Sequence, residues 1–193
     1  MLSEVALCNA ALFAIGAEPI TSLSDDSSEA AFCKNRYADL RDAVLVSHPW
    51  NCALTKASLA QDATDPIFGY TYRYALPTDP YCLRVLKMDG QDTYDWRVVA
   101  GRYLETDYDV CKIEYIARVT DPLQFSMSLG EAISARIAVE AAAKLMEKPS
   151  AAKRKEMWDE YVGKLAQAMA LDAQESHEFD NGSTDDAWVT ARQ

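Results

Sequence analysis

The 193-residue chain is 49% hydrophobic and 25% charged, with 7 Gly and 7 Pro. That composition excludes collagen-like and low-complexity classes and fits one ordinary domain with a small appendage. Thirty Asp and Glu against 19 Lys and Arg leave a net charge of −11, which removes the cationic footprint needed to grip nucleic-acid phosphates or an anionic membrane.

Val5 to Ala17 is apolar enough to mimic the core of a signal peptide. The residues before it are Met1-Leu2-Ser3-Glu4 and the first basic residue is Lys34, so the positive n-region of a signal is missing and a cytoplasmic site of synthesis is expected. The same stretch reads as a helix capped by Ser3, with Val5, Cys8, Leu12 and Ile15 on its buried face and Gly16 as a left-handed stop before Pro19. Asp25-Asp26-Ser27-Ser28-Glu29 caps a second helix whose face is Cys33, Tyr37, Leu40 and Val44, ending before His48-Pro49.

From Trp50 to about Thr120 the period falls towards two. Strands are expected at Cys52–Ser58, Tyr70–Leu76, Leu83–Met88, Tyr94–Ala100, Tyr103–Glu105 and Lys112–Arg118, separated by turn residues such as Pro77-Thr78-Asp79-Pro80 and Gly101-Arg102. A third helix over about 128–148 confines Arg136, Glu140, Lys144 and Glu147 to one stripe, which puts Arg136–Glu140 and Glu140–Lys144 in pairing range. Its apolar remainder, including Ile133, Ile137 and Ala141, must be covered on several sides, by this chain or by another subunit. Pro149-Ser150 breaks and recaps the chain. The last helix runs to about Ser176 with Trp158, Tyr161, Leu165 and Met169 inward, and an aperiodic acidic tail over 177–193 carries Trp188.

The expected fold is therefore α+β, an antiparallel helical bundle of about four helices with a small antiparallel β subdomain inserted between helices 2 and 3. The bundle would comprise 1–50 and 121–176, the insertion 51–120, and the extended tail 177–193.

Residues that carry chemistry are scarce. Gly-rich phosphate loops, H-E-x-x-H and G-x-S-x-G are all missing. Five cysteines (Cys8, Cys33, Cys52, Cys82 and Cys111) stand singly beside only two histidines, His48 and His177, and read as small buried hydrophobes of a reducing compartment. Asp89-Gly90-Gln91-Asp92-Thr93-Tyr94-Asp95 lacks the ligand order of a calcium loop, so no metal and no cofactor is expected. Eight of the ten tyrosines fall in the β part. Tyr70, Tyr72 and Tyr74 alternate towards one side, as half-buried sheet packing or as an interface. With Ile133, Ile137, Ala141 and Trp188 they are the candidate subunit-interface residues.

The run Ser3-Glu4-Val5-Ala6-Leu7-Cys8-Asn9 through Ile15-Gly16-Ala17-Glu18-Pro19-Ile20, then Leu23 and a helix closing on His48-Pro49-Trp50-Asn51, resembles the opening of tail tubular protein A, the head-to-tail adaptor (gatekeeper) family of short-tailed bacteriophages. Tyr72-Arg73-Tyr74-Ala75-Leu76-Pro77-Thr78-Asp79, Cys82-Leu83-Arg84-Val85-Leu86 and the Ala-rich helix pair from Leu129 to Glu175 are similar as well. The resemblance spans about residues 3–176 and rests on packing patterns. It implies a structural virion protein with no catalytic residues and no cofactor. Such a protein forms a ring, usually a dodecamer, between portal protein and tail nozzle protein, through whose lumen genomic DNA passes without specific binding. Twelve copies at −11 would total about −130, a field that repels a duplex and keeps it sliding. The alternative reading is a virion-associated glycan or cell-wall hydrolase.

Overall fold

In the computed structural model, which describes residues 1–89, 95–146 and 150–175, serine hydroxyls open the helices. Ser3 Oγ accepts from the Ala6 amide at 3.1 Å and starts α1 (Glu4–Ala14); Ser27 Oγ accepts from Ala30 at 3.1 Å and starts α2 (Ser28–Val46). Ser126 Oγ takes the Leu129 amide at 3.2 Å before α3 (Met127–Leu145), and Ser150 Oγ takes the Lys153 amide at 3.1 Å before α4 (Ala151–Glu175). Each such bond satisfies an amide with no intrahelical partner, worth about 1 kcal/mol. Gly16, at φ +72°, turns the chain out of α1, a conformation that costs glycine no Cβ clash.

The loop to α2 is held by bonds that no periodicity announces. Asn9 donates Nδ2 to the Ile20 carbonyl and accepts the Ile20 amide, both at 2.8 Å. Asp25 accepts the amides of Thr21 at 2.7 Å and Ser22 at 3.0 Å, and these backbone hydrogen bonds hold its carboxyl below the usual range.

Between α2 and α3 lie six strands: β1 (Leu54–Leu59), β2 (Tyr72–Ala75), β3 (Cys82–Met88), β4 (Trp96–Val99), β5 (Tyr103–Thr106) and β6 (Cys111–Ala117). They pair antiparallel into two three-stranded sheets, β1-β6-β3 and β2-β5-β4. The protein is thus mixed α+β, with four α-helices among the described residues. The start of the expected strand Tyr94–Ala100, most of the Asp89–Asp95 segment, Glu147, Pro149, His177 and the tail with Trp188 lie outside the described residues. Ala100 and Gly101, at φ +49° and +66°, make the β4–β5 turn, the left-handed pair that a tight hairpin requires.

Apolar side chains gather in two clusters. One fills the space among the helices and takes in Trp50, Ala53, Ile116 and Val119 from the strand ends; the other lies between the sheets around Tyr74, Leu104, Ile113 and Tyr115. Trp50 has no exposed surface and donates its indole N–H to the Val44 carbonyl at 3.0 Å. On α2 Asp42 accepts from the buried Arg41 at 2.7 Å and from Arg118, past the end of β6, at 2.6 Å. The Arg118 guanidinium lies 4.3 Å from the Tyr81 ring centre, and Arg102 lies 4.5 Å from the same ring. This chain of charge and aromatic contacts ties α2 to the strands.

The apolar perimeter of α3 is covered from within the chain, because α1, α2 and α4 all pack against it. Ile133, Ile137 and Ala141 each have 0% exposure. They are core residues with no surface left for a neighbouring subunit, and the sequence-based interface assignment is corrected accordingly. Two further expectations shift. Glu140 keeps its bond to Arg136 at 3.2 Å, but it turns towards α2 rather than Lys144, accepting from Arg36 Nε at 3.1 Å and Nη2 at 2.7 Å. On α4 Tyr161, Leu165 and Met169 face the core as expected, joined by Met157, Ala168 and Asp172, while Trp158 departs from the expectation at 46% exposure. One residue on from Met157 is about 100° around the helix, and there the Trp158 ring stacks over Arg136, 5.5 Å from ring centre to guanidinium.

Ile137→Ala therefore acts on the folded chain itself. The unfolding free energy from denaturant titration should fall by about 2–5 kcal/mol, independently of protein concentration.

Candidate interaction surfaces

The Arg and Lys side chains of the β part arise from strand alternation. On the outer face of β2-β5-β4, Glu105 of the middle strand stands directly opposite Arg73 on one side and Arg97 on the other. Arg73 Nη2 donates to Glu105 Oε1 at 3.1 Å; Arg97 donates Nε at 3.1 Å and Nη2 at 2.9 Å to Oε2. Glu105 is only 3% exposed. Burial raises its carboxyl, and the hydrogen bonds and charges of Arg97 and Arg73 more than reverse this, leaving it below the usual carboxylate range. The guanidiniums also meet aromatic rings, Arg73 over Tyr103 at 5.3 Å and Arg97 over Tyr70 at 5.4 Å.

The other sheet repeats the device with lysines. Glu114 of β6 sits between Lys56 of β1 and Lys87 of β3, at 3.5 and 3.4 Å. Together with Lys112 and Asp89 these residues line an open groove of about 440 Å³.

The three tyrosines do not form one exposed platform. Tyr74 points into the cluster between the sheets at 2% exposure and donates its hydroxyl to the Tyr108 carbonyl at 2.9 Å. Tyr72 is half-buried against the same cluster, and Tyr70, just before β2, is half-buried against Arg97. Tyr74 therefore leaves the interface set, because the sheet's inner face claims it. The loop before Tyr70 carries what the periodicity did not flag, Ile67 at 93% and Phe68 at 77% exposure.

Apolar surface also flanks α4 on both sides. On one flank a groove of about 200 Å³ runs between α1, α3 and α4, walled by Leu2, Ala6, Ala10, Gly130, Ala138 and Met157. On the other flank Trp158 and Val162, one helical turn apart, are each 46% exposed. No periodicity announces the groove, since its walls come from helices distant in the chain.

One place gathers residue types associated with covalent catalysis. His48 Nε2 lies 3.3 Å from Asp172 Oδ2, the same carboxylate accepts the Asn51 amide at 3.2 Å, and Cys52 follows in the chain. Burial, followed by the charge of Asp172, pushes the Cys52 thiol up to about 11. A nucleophilic cysteine needs the opposite shift. With Asn51 Nδ2 donating to the Asp172 carbonyl at 2.9 Å, the cluster acts as a polar latch joining the far end of α4 to the α2–β1 junction. Among the described residues no group of His, Cys, Asp and Glu is placed to hold a metal ion, and no helix is long and apolar enough to cross a membrane. No protein-family model matches the chain, and no curated protein matches it.

Glu105 gives a pH-dependent prediction. Its carboxyl is held below the unfolded value near 4.3, so it contributes stability above that pH and loses it as pH falls through the lower folded value. Glu105→Gln should cost about 1–3 kcal/mol at pH 7. The gap between the two proteins should narrow as pH falls below about 4.3, measured by denaturant titration across that range.

Proposed function

We propose that this chain is a structural virion protein, a head-to-tail adaptor whose copies assemble into a ring between portal protein and tail nozzle protein. In this reading the helices of 1–50 and 121–176 form an antiparallel bundle that packs side by side around the ring. The β part, 51–120, is an insertion presented to a tail-side partner, and genomic DNA slides through the lumen.

The observation that carries the reading is the pair of unlike apolar surfaces on opposite flanks of α4. A small-residue groove on one side and a projecting Trp158–Val162 stripe on the other are what a head-to-tail contact uses, and such a contact closes into a ring when the rotation per copy allows it. Electrostatics supports the same role. A wall built from chains of net charge −11 releases no counterions on meeting a duplex and offers it no attraction. Exposed Ile67 and Phe68 at a loop of the β part are the type of anchor that a protein partner buries. The hydrolase alternative is not favoured by the buried carboxyls, since Glu105 is held by Arg73 and Arg97 and Asp172 by His48 and Asn51.

Light-scattering mass and native mass spectrometry, on the protein alone and mixed with a portal protein, test this directly. Val162→Glu and Ala10→Trp change opposite flanks at exposed positions. Each should abolish the assembled species while leaving the circular dichroism and melting temperature of the monomer unchanged. Assembly that survives both substitutions would overturn the reading. The assembled ring should also show no binding to duplex DNA at physiological salt in a mobility-shift titration.

A further inference from the structure

The outer face of β1-β6-β3 is divided. At one end Ile116 packs into the cluster among the helices. At the other Lys56, Lys87 and Lys112 are exposed along the open groove of about 440 Å³, so three of the chain's nine lysines meet there. Glu114 lies 3.5 Å from Lys56 and 3.4 Å from Lys87, and Asp89 lies 3.9 Å from Lys112. Three cations therefore face two carboxylates, which leaves one positive charge uncompensated in a chain of net charge −11. These separations exceed the roughly 2.7–2.9 Å of a charge-assisted hydrogen bond, and each ammonium has three donors, so the groove has room for further acceptors. Past α4 the chain supplies them: Glu178, Asp180, Asp185 and Asp186 fall within nine residues that contain no Lys or Arg. We propose that the lysine groove is the docking site of the acidic segment 178–186 of the same chain.

The polar latch at the α2–β1 junction sets the reach. Asp172, in the last turn of α4, accepts the Asn51 amide at 3.2 Å, and Asn51 Nδ2 donates to the Asp172 carbonyl at 2.9 Å. Asn51 precedes Lys56 by five residues, a span of at most about 18 Å. Glu175 lies about 5 Å further along the helix than Asp172. The end of α4 is thus within about 30 Å of Lys56, and the residues from 176 to 186 extend to about 36 Å. Linkage also decides which copy supplies the segment. Single exposed ion pairs are weak, and salt screens them. A segment joined to its own groove acts at an effective concentration on the order of millimolar, which the same segment of a second copy does not reach in dilute solution.

The sequence makes the test direct. No Lys or Arg lies between Lys164 and Arg192, so trypsin releases the segment in one peptide, 165–192. The full chain, as an equal mixture of unlabelled and nitrogen-15-labelled copies in dilute solution, is treated with a water-soluble carbodiimide, digested and weighed. Amides should join carboxylates of 178–186 to Lys56, Lys87 or Lys112, both halves of each linked pair carrying the same isotope. Their yield should fall several-fold between about 0.02 and 0.5 M salt. Replacing the four acids together (Glu178→Gln, Asp180→Asn, Asp185→Asn and Asp186→Asn) should raise acetylation of the three lysines by a small amine-reactive ester about threefold. Exposed Lys34 on α2 should react as before. Mixed-isotope pairs as frequent as matched ones would overturn the proposal by placing a second copy's segment in the groove. So would amides confined to other lysines, a lack of amides to the segment, or acetylation rates that the four substitutions leave unchanged. The proposal does not depend on ring assembly.

Discussion

Removing α3 from water is the constraint around which the helices are arranged. A helix whose buried set runs through Leu129, Ala132, Ile133, Ile137, Ala138, Ala141 and Ala142 has too wide an apolar perimeter for one partner to cover. Three partners therefore converge on it, and its polar stripe, with Arg136 and Glu140, stays partly exposed. That strip is put to use. Glu140 gathers Arg36 and Arg136, and Arg136 in turn lies against Trp158 and Tyr161, so α2, α3 and α4 are joined along the seam where the apolar cover ends. The position of α4 follows, and with it the two flanks on which the functional reading rests.

Charge is distributed unevenly between structure and surface. Arg36, Arg41, Arg73, Arg97, Arg102, Arg118 and Arg136 are engaged with carboxylates, carbonyls or aromatic rings of the same chain. Guanidinium suits this work, because its planar donors pair carboxylates and stack on rings at once. These pairs occupy Asp42, Glu105 and Glu140 along with the arginines, so the net charge of −11 is carried by the remaining acidic side chains.

Much of the helical part could be read from the residues. Ser3 and Ser27 as caps, Gly16 as a stop, and Cys33, Tyr37, Leu40 and Val44 as one buried face all depend on local rules, and they stand in the structure as read. Strand positions were legible to within a few residues for the same reason. What lay beyond reach was long-range. The sorting of six strands into two sheets depends on pairings such as β1 with β6, more than fifty residues apart. The burial of Glu105 needs partners from two other strands, and the inward turn of Asp172 needs Asn51 and His48 from the opposite end of the chain. Trp158 shares the helical phase of Leu165 and Met169, which pack against the core, yet it lies exposed near the start of α4. Its exposure becomes intelligible only when Arg136 is seen beneath it.

The matched acid-between-bases arrangement in the two sheets bears on how the chain finds its pairing. Strands as short as β2, β4 and β5 (four residues each) carry few contacts with which to tell one alignment from the next. Sliding either outer strand by one residue would carry its arginine to the opposite side of the sheet and strand a carboxylate in a dry setting. The central glutamates therefore serve as alignment keys, since a shifted register is penalised by an orphaned buried charge.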